Sequence, residues 1–250
     1  LIVPIHPPRP VALRLSVIIP TFNESRNIVE LVRQLAEQLD PLLHDDYELV
    51  VVDDDSPDRT WEIAAAMIAT YRTLTVVHRR GERGLSTAVI RGWQVARGNV
   101  LAVIDGDLQH PPEVLTRLWT AIERADLAVA SRNIEGGGVS DWSVARRVLS
   151  RGAQLMGLLV LPRIVARLSD PMSGYFMVRR SAVGGILLDP LGYKILVEVV
   201  GRGRIQSIAE VPYVFRERTE GESKVTWQIY VDYVRHLWRL QRPARRSIPD

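Results

Sequence analysis

The amino-acid sequence predicts an α/β fold, a mostly parallel sheet flanked by helices, on three observations. Short apolar runs alternate with segments whose apolar residues recur at helical spacing, from residue 15 to residue 131. Several of those runs end in carboxylates, at the sheet edge where open α/β sheets bind ligands. Hydrophobic residues make up 46% and charged residues 24% of the 250, which is the balance of an ordinary globular chain with a real core.

Taken in order, residues 15–20 read as a strand and 26–39 as a helix with Ile28, Leu31, Val32, Leu35 and Leu39 on one face. Asn23 or Ser25 is a candidate N-cap for that helix. Strands follow at 47–52, 74–78, 100–104 and 127–130, separated by helices at 58–70, 84–97 and 112–124. Such a βαβα rhythm places parallel strands side by side with helices on both faces. After Ser131 the rhythm breaks. Gly136, Gly137 and Gly138 form a loop, a long helical pattern begins at Trp142, and a short strand is expected near 175–178. Further helices, a strand within 205–215 and a final helix from Thr226 complete the chain. With no internal repeat and no linker composition, a single domain over 14–241 is expected, with a flexible lead-in at 1–13 and a basic tail at 242–250.

The absence of cysteine excludes a disulfide framework. No run reaches the roughly 20 apolar residues that span a bilayer. A net charge of +3 does not point to nucleic acid. The basic residues are unevenly placed, however. Arg146, Arg147, Arg151 and Arg163 lie along one helical pattern whose opposite face carries Trp142, Val148, Leu149, Leu155, Met156 and Leu159. The last helix sets Trp227, Tyr230, Val231, Val234, Leu237 and Trp238 beside further arginines. Either stripe suits core packing or the surface of an anionic membrane.

The most informative segment is VLAVIDGDLQHPPE at 100–113. Its apolar run delivers Asp105, Asp107 and Gln109 to a strand's C-terminal end, and two carboxylates and an amide on alternate residues can converge on one hard cation. The second strand ends in Asp53, Asp54 and Asp55. A helix N-terminus accounts for one acidic residue there, but three consecutive carboxylates need hydrogen-bond donors or a cation to offset their repulsion.

PTFNE, VVDDDSPDRT, RGLSTAVIRGW, IDGDLQHPPE, SRNIEGGGVSDWSVARRVLSRGA, SDPMSGYFMVRR and RTEGESKV occur in that order. Together they resemble the family-2 glycosyltransferases of GT-A fold, and within them the dolichol-phosphate mannose synthase and polyprenyl-phosphate glycosyltransferase group, over residues 14–240. The resemblance implies a Rossmann-like GT-A domain with a nucleotide-binding half at 14–131, an acceptor- and membrane-facing half at 132–241, and C-terminal amphipathic interface helices. It also implies inverting, metal-dependent transfer of a hexose, mannose preferred, from a nucleoside-diphosphate sugar such as GDP-mannose to a polyprenyl or dolichyl phosphate. By the same resemblance Pro20, Phe22, Glu24, Val52 and Asp54 hold the nucleotide. Asp105, Asp107 and Gln109 take Mg2+ or Mn2+ and the diphosphate, and Arg218, Ser223 and Lys224 close over the donor. Arg132, Arg147 and Ser173 lie near the acceptor phosphate. Asp107, Arg218 and Lys224 carry the catalytic roles. The expected location is the cytoplasmic face of a membrane, peripheral or monotopic, with a membrane-anchoring partner subunit among the candidate partners. Arg59 stands where relatives often carry glycine, and Phe22 where tyrosine is common.

Rival readings are a UDP-glucose-dependent polyprenyl-phosphate glucosyltransferase, a phosphohydrolase and an inactive GT-A scaffold. The Asp-x-Asp phosphohydrolases want Thr or Val where this chain has Gln109, and their motif usually opens the domain. No GxGxxG follows the first strand, which argues against a dinucleotide-binding oxidoreductase.

Overall fold

The computed structural model describes residue 5 and residues 13–140, 166–190 and 192–217. The expected helices from Trp142 and Thr226, the basic tail, and the side chains of Arg147, Arg218, Ser223 and Lys224 lie outside the described residues.

In chain order the elements are β1 (Leu15–Thr21), α1 (Ile28–Leu43), β2 (Tyr47–Asp53), α2 (Thr60–Ala66), β3 (Leu74–His78), α3 (Leu85–Val95), β4 (Val100–Val103), α4 (Val114–Ile122) and β5 (Leu127–Ser131). Then come β6 (Gly138–Val139), β7 (Phe176–Arg179), α5 (Arg180–Val183), α6 (Ile195–Arg202), β8 (Ile208–Pro212) and β9 (Val214–Phe215). A seven-stranded sheet runs in the order β3-β2-β1-β4-β7-β5-β8, and β6 pairs with β9 in a separate two-stranded ribbon. Every pairing within the large sheet is parallel except those of β7, which is antiparallel to both β4 and β5.

Successive strand residues face opposite sides, so each strand feeds two cores. Val17 and Ile19 of β1 with Leu49 and Val51 of β2 pack against α1 and α4. Ile18, Val50 and Val52 point the other way, against Ala88, Val89 and Trp93 of α3 and the apolar face of α6. Ile5, in the segment expected as a loose lead-in, is buried in this second core, and its carbonyl accepts the Gly185 N–H at 2.9 Å.

Where the elements differ from expectation, the reasons are local. Helix α1 runs four residues past the expected end at 39, through Pro41. Pro41 forfeits one N–H donor in the last turn, yet the helix continues to Leu43, which is buried. Neither Asn23 nor Ser25 caps this helix; Asn27 occupies the N-cap position, and Asn23 takes φ 55° in the turn before it. The expected strand within 205–215 is two strands, because β9 leaves the large sheet to pair with β6. Arg59 adopts φ 60°, the left-handed conformation that glycine takes without cost.

The edge formed by the strand starts is closed by a buried polar network. Ser16 Oγ donates to Glu48 Oε1 at 2.6 Å, the Gly98 N–H donates to Ser16 Oγ at 2.7 Å, and Arg97 Nε reaches Glu48 Oε2 at 3.0 Å. Arg180 caps the end of α3, donating to the carbonyls of Ala96 and Gly98 at 2.9 and 2.6 Å. A Cβ on Gly98 would stand 2.5 Å from the Ser16 backbone nitrogen, a contact only a backbone shift could relieve. Gly98→Ala is therefore expected to lower stability by about 1–3 kcal/mol, read from urea midpoints, with nucleotide affinity unchanged because the network lies at the opposite edge from the site.

Candidate active site

The parallel strands β1, β2 and β4 end at one edge, and the candidate residues follow from that register. Pro20 and Val52 are paired, as are Thr21 and Asp53, one residue further along. The three acidic residues at the end of β2, Asp53, Asp54 and Asp55, take three separate roles. Asp53 is fully buried and structural: Thr21 Oγ1 donates to it at 2.8 Å, and the Ser56 N–H and Oγ donate at 2.8 and 2.6 Å. Asp54 accepts from Arg79 Nε and from the Gly84 N–H, both at 2.7 Å. Burial pushes its carboxyl up, although the Gly84 N–H and the Arg79 charge pull the other way. Asp55, at φ 56°, is exposed and meets His78 Nε2 at 2.5 Å, while the His78 ring stacks on Trp61 with centroids 4.3 Å apart. Hydrogen-bond donors, arginine and histidine thus offset a cluster that the sequence left open to either donors or a cation.

Around this pocket Phe22 is half-buried, with the Arg83 guanidinium 4.5 Å from its ring centroid. Glu24 is buried and accepts from Asn27 Nδ2 at 2.8 Å. Pro20 is buried at the end of β1. The Val52 side chain belongs to the core against α3, so only its backbone reaches the edge.

Past β4, the turn bearing Asp105, Asp107 and Gln109 is tightly built. Leu108 takes φ 59°, a conformation costly for a branched residue and found mostly where function demands it. The Gln109 N–H donates to Asp107 Oδ1 at 3.2 Å. Gln109 is also tied both ways to Arg216: its Nε2 donates to the Arg216 carbonyl at 3.0 Å, and its carbonyl accepts the Arg216 N–H at 2.9 Å. Arg216 in turn pairs with Glu113. Arg216 is thereby held against the turn that bears Asp107 and Gln109. Asp105 Oδ2 meets His110 Nε2 at 3.3 Å, and His110 sits among the rings of Tyr175, Tyr213 and Phe215.

The donor set fits a hard divalent cation: two carboxylates and an amide whose nitrogen is already engaged, with Asp105 Oδ1 buried and without a hydrogen-bond partner. Among the described residues no three His, Cys, Asp or Glu side chains form a group that could hold a metal ion, so a cation here would need the Gln109 amide and groups from outside the chain.

The second wall of the site comes from β5 and the turn before β7. Arg132 follows β5, and its Nε and Nη2 donate to Asp170 Oδ2 and Oδ1 at 2.6 and 2.8 Å, while its N–H also reaches Asp170 Oδ2 at 3.1 Å. Burial would lower the Arg132 pKa, but the Asp170 carboxylate outweighs it and raises the group. Ser173 spends its hydroxyl inside the turn, donating to the Ala130 carbonyl at 2.7 Å and accepting the Tyr175 N–H at 3.2 Å. Gly174 brings that turn against the metal motif: a Cβ there would lie 3.1 Å from Asp105 Oδ2. Sequence reasoning did not single out Arg79, His110, Asp170 or Lys194. The signal was present for Asp170, the acidic residue of SDPMSGY, and for His110, inside IDGDLQHPPE.

Residues 16–186 match the family described as "Glycosyl transferase family 2". The chain is 45% identical over 231 residues to a dolichol-phosphate mannosyltransferase of Pyrococcus furiosus, covering 92% of this chain and 64% of that protein. It is 33% identical over 238 residues to the dolichol-phosphate mannosyltransferase of Saccharomyces cerevisiae, covering 92% of this chain and 87% of the yeast protein. Among solved structures, a mannosyltransferase from Pyrobaculum calidifontis in complex with GDP-Man and Mn2+ superposes with a TM-score of 0.61 at 20% identity, over 94% of this chain and 67% of that one. The structural neighbours are GT-A glycosyltransferases, which fixes the fold class.

Proposed function

The chain belongs to glycosyltransferase family 2, and from that membership we propose that it transfers mannose from GDP-mannose to a polyprenyl phosphate at a membrane surface. The observation that carries this reading is the meeting of two motifs at one sheet edge. Asp105, Asp107 and Gln109 lie against the 170–175 turn, whose Asp170 holds Arg132. One wall suits a nucleoside diphosphate and the other an anionic acceptor. The dolichol-phosphate mannosyltransferases that resemble the chain over nine-tenths of its length support the choice of sugar and lipid.

In this reading Pro20, Phe22, Glu24, the Val52 backbone and Asp54 line the nucleotide pocket. Asp105, Asp107 and Gln109 would hold Mg2+ or Mn2+, which when bound stabilises charge on the departing diphosphate. Arg218, Ser223 and Lys224 close over that diphosphate, adding preorganised positive charge. The acceptor supplies a phosphate oxygen already anionic at neutral pH, so no strong general base is required. That oxygen bonds to the anomeric carbon from the side opposite the diphosphate, the carbon–oxygen bond to the diphosphate breaks, and GDP leaves with the electron pair. Arg147 and the Arg132–Asp170 pair shape the acceptor end, where Ser173 fixes the turn.

We further assign residues 14–241 to one domain with donor and acceptor halves meeting near residue 131, docked peripherally on the cytoplasmic membrane face through the segments from Trp142 and Thr226. Among the described residues no helix is long and apolar enough to cross a membrane.

Transfer of radiolabelled sugar into a lipid-extractable product tests the function. The assay uses short-chain polyprenyl phosphate in detergent with Mg2+ or Mn2+, and GDP-mannose and UDP-glucose in parallel. Label in lipid from GDP-mannose alone, lost on chelation, is the expected result. Label from UDP-glucose alone would make the protein a glucosyltransferase. No lipid label from either donor, with nucleotide still bound, would overturn the polyprenyl acceptor.

A further inference from the structure

Lysine occupies only two positions in this chain, Lys194 and Lys224; every other side chain among its 32 lysines and arginines is arginine. Lys224 falls in the RTEGESKV motif. Lys194 stands alone in the apolar stretch LGYKILVEVV, at the start of α6, and is half-buried. Its Nζ donates to the Met172 carbonyl at 3.2 Å. That carbonyl belongs to the turn that presses Gly174 on Asp105 and holds Asp170 against Arg132.

Two carboxylates, Asp170 and Asp105, act electrostatically on this ammonium, and the first is engaged elsewhere. Asp170 accepts two side-chain hydrogen bonds from Arg132. Glu198, one turn along α6, pairs with Arg202 at 2.6 Å and accepts the Asp189 N–H at 2.8 Å. Asp105 also acts electrostatically on Lys194 but is assigned above to the cation. Burial, with Arg132 beside it, pushes the Lys194 ammonium down to about 8 despite the two carboxylates. A half-buried cation whose hydrogen bond goes to a backbone carbonyl, at the junction of both walls of the site, suits an anion that arrives from outside.

Resting on the function proposed above, we propose that Lys194 binds the phosphate of the polyprenyl phosphate acceptor, with the Asp170-bound Arg132 acting as its positioning neighbour. An ammonium has three donors that rotate freely, so one can stay on the Met172 carbonyl while the others turn to phosphate oxygens. The fork of Arg132, spent on a carboxylate, has less to offer.

The test uses the whole chain with GDP-mannose and short-chain polyprenyl phosphate in detergent, varying each substrate in turn. Lys194→Met is expected to raise the acceptor KM by about 10- to 100-fold, the loss of a charge-assisted hydrogen bond, with the donor KM and thermal midpoint essentially unchanged. Lys194→Arg is expected to fall between the two, keeping the charge but not its shape. An acceptor KM for Lys194→Met within about twofold of wild type overturns the assignment. A parallel weakening of donor and acceptor with a lowered thermal midpoint also overturns it, because that is what a clip serving only to hold Met172 would produce. Wild-type chain that transfers no mannose in the same assay overturns the function itself, and is thereby distinguished from a failure at Lys194.

Discussion

Asp107→Asn is expected to lower kcat for mannosyl transfer by about three orders of magnitude, the scale of several kcal/mol of transition-state charge stabilisation. The carboxylate is 8% exposed, and its Oδ1 accepts the Gln109 N–H, so the turn aims it rather than leaving it to sample solvent. Asparagine keeps the shape and the hydrogen bond but removes the charge that binds the cation. The fold should not suffer, since the substitution preserves the shape of the side chain and the contact that aims it. Steady-state rates and Mn2+ binding followed by paramagnetic resonance check both halves. A variant retaining more than about a tenth of the rate would remove Asp107 from the catalytic set.

Asp170→Ala is expected to cost about 3–5 kcal/mol of folding stability, because it leaves Arg132 buried without its counter-charge. Burial tends to push the Asp170 carboxyl up, but the hydrogen bonds and charge of Arg132 outweigh it and hold the group below its ordinary value of 3.8. The sign of the pH dependence follows. A carboxyl with a depressed folded-state pKa contributes stability that is fully present above its unfolded value and is lost as pH falls through the folded value. Wild-type stability should therefore drop in acid below 3.8 by an increment that the variant lacks. Urea midpoints at neutral pH and in acid measure the two terms, and equal pH slopes for both proteins would deny the pair its role.

The alternation from β1 to β5 was legible because each strand is an apolar run and each helix an apolar stripe, and burial follows those patterns residue by residue. The direction of β7 was not. Phe176, Met177 and Val178 carry the same apolar signal as any interior strand, and nothing local in three apolar residues states which neighbours they join or which way they run. The site divides along the same line. Asp105, Asp107 and Gln109 announce themselves by spacing within one turn. Asp54 is legible as a carboxylate, yet its partner Arg79 stands 25 residues away and pairs with it only because β2 and β3 are neighbours. Lys194 carries no local motif at all; its place depends on α6 meeting a turn 22 residues earlier in the chain.

The reversed strand has a consequence for how such a protein can change. β7, which comes after residue 131, hydrogen-bonds to β4 on one side and to β5 on the other, so the later part of the chain supplies an interior strand between two strands of the earlier part. Running against its neighbours, it begins where they finish, and the turn that precedes it arrives beside the turn that follows β4. Two motifs more than sixty residues apart thereby become one surface, and neither can be exchanged as a cassette with a relative's. A graft that replaced the chain up to residue 131 would carry β4 and β5 away from the strand they were fitted to. Under the proposed function, sugar choice and lipid choice are written on opposite sides of a single seam, and a lineage that alters one must keep the stitching of the other.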